Sequence, residues 1–79
     1  MTKDLYEGML EVHIDWMIEL RRRMKMNYED VDRFATDNNL NHLEVFWFFK
    51  GCPVPESTFK SVCEILDCDW EKTQEAINV

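Results

Sequence analysis

At 79 residues the chain is long enough for one domain with a single core. Its 46 % hydrophobic content, with three Trp, two Tyr and five Phe, excludes a disordered tail, while two Gly and two Pro favour a few helices over many short strands. A formal net charge of −7 argues against a generic polyanion binder, whose affinity comes mostly from Lys and Arg neutralising phosphates.

The charge is uneven: bases outnumber acids only between residues 20 and 35, around Arg21, Arg22, Arg23 and Lys25. Cys52, Cys63 and Cys68 cannot all pair within one chain, and no signal peptide precedes them, so a reducing cytoplasm is the expected home. No stretch approaches the run of about 18 apolar residues that a membrane span needs, and no membrane partner is expected. Without a CxxC pair, zinc binding by these thiols with His13 or His42 is not expected, nor is any other metal or cofactor.

From Lys3 to Lys25 the pattern reads as one long helix. Leu5, Tyr6, Met9, Leu10, Val12, His13, Trp16, Met17, Leu20 and Met24 recur at spacings of three and four and form its apolar face. Asp4, Glu7, Glu11, Asp15 and Glu19 make an opposite stripe of one sign, read either as the wet side of the helix or as a row of carboxylates offered to a basic groove. Acids early and the Arg/Lys cluster late both suit the helix dipole.

The remaining residues, 27 to 79, are expected to form a compact helical core. Asn27 reads as the N-cap of a short second helix, Tyr28 to Ala35, with Val31, Phe34 and Ala35 inward. Thr36 to Asn39 is a turn in which Asn39 tolerates positive φ; Leu40 plugs the core and Asn41 caps a third helix that ends at Gly51. Pro53 and Pro55 force an extended link to a fourth helix, which begins at Glu56 or Ser57 and aligns Phe59, Val62, Cys63 and Leu66. A last helix from Trp70 to Ile77 closes the chain. The expected fold is therefore all-α, a five-helix bundle with an extended N-terminal helix.

The third helix has no polar face. Val45, Phe48 and Phe49 point one way, and Leu43, Phe46 and Trp47 point the other. The rest of the chain can cover one side. The other is either core, packed under the N-terminal extension from Lys3 to Asp15, or an interface with a protein partner or a second copy, to which Glu44 and Lys50 would contribute.

The middle of the chain resembles the Cro/repressor-type (XRE) helix-turn-helix family. Phe34-Ala35, Asn39, Leu40, Asn41, Val45, Phe48, Gly51, Pro55, Phe59, Val62 and Leu66 stand at that family's spacings, with Asn39 where the family commonly has Gly. The tail, with Phe59, Val62, Cys63, Leu66 and Trp70, is also similar to helix-turn-helix-like modules attached to signalling ATPases in cyanobacteria. The first resemblance implies a helix-turn-helix scaffold and DNA contact, with Asn41 and His42 on bases and Arg21, Arg22, Arg23, Lys25 and Lys50 on phosphates. The second implies interaction between proteins.

Leu43, Phe46 and Trp47 occupy the positions that would read bases, and apolar side chains cannot read the donor and acceptor pattern of the major groove. The sequence therefore points to a small acidic interaction or regulatory protein. It would bind a protein partner or itself through Leu43, Glu44, Phe46, Trp47 and Lys50, and through the acidic stripe of Asp4, Glu7, Glu11 and Asp15. One concrete form is a phage or bacterial inhibitor of a nucleic-acid-binding protein; the alternative is a DNA-binding regulator. His13 and His42 lie on different helices without a nucleophile at catalytic spacing, and no Gly-rich phosphate loop exists, so no enzyme is expected.

Overall fold

The computed structural model describes residues 8–75. The elements run β1 (Met9–Val12), α1 (Ile14–Asn27), α2 (Val31–Asp37), α3 (His42–Lys50), β2 (Val54–Pro55), α4 (Glu56–Ile65), α5 (Trp70–Thr73) and β3 (Gln74–Glu75). The three strands form one antiparallel sheet in the order β2-β1-β3, with Leu10 opposite Val54 and Val12 opposite Gln74. An all-α bundle is thus overturned: the fold is mostly helical but mixed.

The unbroken helix expected from Lys3 to Lys25 is also corrected, since its Met9–Val12 portion is strand. Leu10 and Val12, two apart, turn one side of an extended chain to the core; each also stands three or four residues from another position of the expected apolar face, Leu10 from His13 and Val12 from Met9 and Trp16, and those spacings read as helix. Gly8, at φ +78°, precedes the strand, and long-range partners fix it. Glu56 N donates to the Gly8 carbonyl at 2.8 Å, and His13 N donates to the Thr73 carbonyl at 2.8 Å. Pro55 is tolerated because β2 lies at the sheet edge. Residues 3–7 of the expected helix lie outside the described residues.

Helix α1 begins after His13, whose Nδ1 accepts from Asp15 N at 3.1 Å, and it buries Leu20 and Met24. It continues to Asn27, so that residue ends α1 instead of capping α2. Asp30 is the cap, accepting from Arg33 N at 2.9 Å, and the second helix starts three residues later than Tyr28. Tyr28 stays extended and packs its ring edge-on against Phe34, with centroids 5.0 Å apart.

Helix α2 runs on through Asp37, so the turn is confined to Asn38 and Asn39 instead of Thr36 to Asn39, while its chemistry follows the expectation. Asn39 sits at φ 55°, Leu40 N donates to the Ala35 carbonyl at 2.9 Å, and Asn41 Oδ1 accepts from Glu44 N at 2.9 Å. At the other end Gly51 adopts φ 82°. Its N–H bonds to the Phe48 carbonyl and the Cys52 N–H to the Trp47 carbonyl, the reciprocal pair of a Schellman cap.

Phe48 anchors the core, with its ring centroid 5.0 Å from that of Phe49 and 5.2 Å from that of Phe59. Val45, Leu20, Phe34, Val54 and Val62 complete it, all fully buried. Helix α4 presents Phe59, Val62 and Cys63 to this core, and Leu66 just after its end is buried with them.

Asp67 turns the chain at φ 61°, a left-handed conformation that Asp tolerates better than most residues. Asp69 caps α5 by accepting from Glu71 N at 3.0 Å. The last helix is one turn, ending at Thr73 instead of Ile77, because Gln74 and Glu75 pair with β1. Thr73 is buried, and its hydroxyl donates to the Asp69 carbonyl at 2.8 Å. Ile77 lies outside the described residues.

Candidate interaction surface

Helix α3 is held from one side only. Val45, Phe48 and Phe49 are buried, whereas Leu43 is 56 % exposed, Phe46 46 % and Trp47 39 %. With Lys50 they follow one another at spacings of three, one and three along a helix, which places them in a single outward stripe. Lys50 Nζ lies 5.1 Å from the centre of the Phe46 ring, a cation–π contact that ends the stripe in positive charge. Large apolar groups left this open make a favourable patch to cover.

Glu44 stands apart from this stripe. It is half-buried, and its carboxylate accepts a hydrogen bond from the Thr58 hydroxyl, tying α3 to α4. The acidic row breaks up as well. Glu11 belongs to β1 and Asp15 to the first turn of α1, so they share no helix face; Asp4 and Glu7 lie outside the described residues. Glu19 is committed to arginines. Its carboxylate lies 2.6 Å from Arg22 and 2.7 Å from Arg23, and their hydrogen bonds lower its pKa from 4.5 to about 2.

The basic island divides in two. Arg23 also donates to the Leu66 carbonyl at 3.2 Å and the Asp67 carbonyl at 2.9 Å, so it caps the carbonyls at the end of α4. The hydrogen bonds to Glu19 push the pKa of Arg22 and Arg23 above its ordinary value. Arg21 and Lys25 project elsewhere. Together with Lys50, Met24, Val31, Phe46 and Phe49 they line a cleft of about 240 Å³ between α1 and α3, where Arg21 donates to the Phe49 carbonyl. This convergence was missed in the sequence. The signal was there: Arg22 and Arg23 follow Glu19 by three and four residues, while Arg21 and Lys25 are four apart on another side of the helix.

Asn41 uses its side chain to cap α3, and His42 bridges back to α2, with Nε2 3.2 Å from Thr36 Oγ1 and Nδ1 3.4 Å from Asp32. A hydroxyl, an imidazole and a carboxylate thus stand in series. The imidazole is half-exposed and the Asp32 side chain is 87 % exposed, so water screens the pair and the series serves as a tether. The three thiols differ in setting: Cys52 is exposed, Cys68 half-buried and Cys63 buried. Burial pushes the Cys63 thiol up to about 12 and keeps it protonated and unreactive at neutral pH. Among the described residues no helix is long and apolar enough to cross a membrane.

Comparison with protein-family models, with curated proteins and with solved structures gave no match.

Proposed function

We propose that this chain is a small regulatory interaction protein that binds a protein partner through the outer stripe of α3, on a scaffold of the helix-turn-helix type. Leu43, Phe46 and Trp47 are the anchors, and Lys50 supplies a charged rim. The observation that carries this reading is the contrast in exposure along one helix: its capped ends and buried side hold it rigidly, and a rigid helix presents its apolar side chains at low entropic cost. Glu11 and Asp15 are left out of the interface, because they do not continue as a stripe.

The test is affinity selection from host proteins with the wild-type chain and with Phe46→Ser combined with Trp47→Ser, alongside circular dichroism of both. A protein retained by the wild type and lost by the double variant, with helicity unchanged, supports the reading. Retention of the same proteins by both chains, or collapse of the double variant, overturns it. A measurement of mass in solution separates a foreign partner from a second copy.

A second reading, DNA binding in the manner of Cro/repressor-type regulators, draws on the placement of Arg21, Lys25 and Lys50 beside α3. It predicts that affinity for a labelled duplex falls steeply with salt, with a slope of about −0.9 per phosphate neutralised. Binding absent at low salt removes it.

A further inference from the structure

A cation in so acidic a chain has carboxylates to choose from, and half of the eight Lys and Arg within the described residues have found one. Arg22 and Arg23 hold Glu19, Arg33 lies 3.5 Å from Asp37, and Lys60 lies 2.8 Å from Glu56. Arg21, Lys25, Lys50 and Lys72 have no carboxylate within salt-bridge distance among the described residues; Lys72 stands apart on α5, and the other three meet at one cleft. Lys25 and Lys50 each lie in the last turn of a helix, where the dipole favours a cation. That preference explains each charge singly; it gives no reason for both helix ends to open on the same hollow with Arg21 between them.

The hollow is also apolar. Met24 and Phe49 are its buried floor, and Val31 and Phe46 are its partly exposed rim. Arg21 spends one donor on the Phe49 carbonyl, which orients the guanidinium and leaves further N–H groups for an incoming acceptor. Carboxylates on a ligand would meet Arg21, Lys25 and Lys50, and an apolar side chain between them would cover the floor. A phosphodiester backbone fits less well, since it has no apolar side chain to place on that floor.

We propose that the α1–α3 cleft docks an acidic peptide segment of a partner protein, one that carries a large apolar side chain flanked by Asp or Glu. The proposal deepens the preceding reading and rests on it: the stripe of α3 supplies area, and the cleft selects for charge.

The experiment is fluorescence anisotropy with the full chain and a labelled peptide of about a dozen residues, in which Leu and Phe are spaced among Asp and Glu. Three comparison ligands are a peptide with Lys in place of the acids, a peptide with Ser in place of Leu and Phe, and a random-sequence DNA duplex. The acidic apolar peptide should bind, with both altered peptides weaker by about tenfold or more. Lys25→Glu combined with Lys50→Glu, both at exposed positions, should lower affinity by a similar factor, and Lys25→Gln with Lys50→Gln, which puts no anion at the two helix ends, should weaken binding in the same direction with helicity unchanged.

The proposal is overturned by equal binding of the Lys peptide, by an undiminished charge-reversed variant, by a duplex that binds more tightly, or by no peptide binding at all. A dimer of the wild type that separates in the charge-reversed variant also overturns it, because a second copy would then fill the cleft. Leu43→Ser with Trp47→Ser keeps the two readings apart, since neither residue lines the cleft. If that pair abolishes binding and charge reversal does not, the interface on α3 stands and the cleft has no part in it.

Discussion

Helix α3 has two apolar faces with different fates, and the pair shows what composition alone leaves undecided. Phe48 and Phe46 are the same amino acid two positions apart in one helix. Phe48 is fully buried between Phe49 and Phe59, while Phe46 is 46 % exposed beside Lys50. Both would gain from leaving water. Only one is given the chance: α2, α4, β1 and β2 all neighbour α3, and among its aromatics the packing buries Phe48 and Phe49 but leaves Phe46 and Trp47 open. The inner face holds the fold, and the outer face remains for another molecule.

The largest expected effect comes from breaking the inner side of that comparison. Phe48→Ala should destabilise the chain by about 3–5 kcal/mol in urea unfolding, through lost burial and the cavity left behind. Phe46→Ala should cost about 1 kcal/mol or less by the same measurement. Equal costs would mean that the two faces do the same work and that the outer stripe is core. Between these falls Asn41→Ala, which removes the side-chain acceptor from Glu44 N at the start of α3. It should cost about 0.5–2 kcal/mol and lower helicity.

The smallest effect concerns the arginines outside the cleft. Glu19 has its pKa lowered from 4.5 to about 2, so its ion pairs contribute stability that is present above the ordinary value. That contribution is lost as pH falls through the lowered value. Glu19→Gln should therefore reduce stability slightly near neutral pH and flatten the fall between about pH 4.5 and pH 2, as followed by circular dichroism. Lys25→Gln leaves that acid limb untouched if the basic island is divided as described.

The local signals in the sequence were legible where local chemistry decides. Asn39, Asn41 and Gly51 each occupy the turn or cap that their own conformational preferences suggest, and Phe59, Val62, Cys63 and Leu66 share the expected buried side. The strand was hidden because Leu10 and Val12 each stand three or four residues from other apolar positions, and the partners that hold them extended, Val54 and Gln74, lie far along the chain. Asp30 and Asn27 have equal chemical credentials as caps, and the extension of α1 through Asn27 decides between them. At the candidate site, the exposed stripe was readable from helical spacing, whereas the cleft required knowing that α1 crosses close to the end of α3.

The strand β1 has a kinetic consequence. Helix α2, its turn and α3 are consecutive in the chain and can assemble through short loops, but β1 must wait until both the α3–α4 link and the segment after α5 have been brought to it. On that ground β1 should be the last element to fasten and the first to open. Hydrogen exchange should then find the amides of β1 less protected than those of α3, and β1 should release while the helix that carries the binding face is still intact.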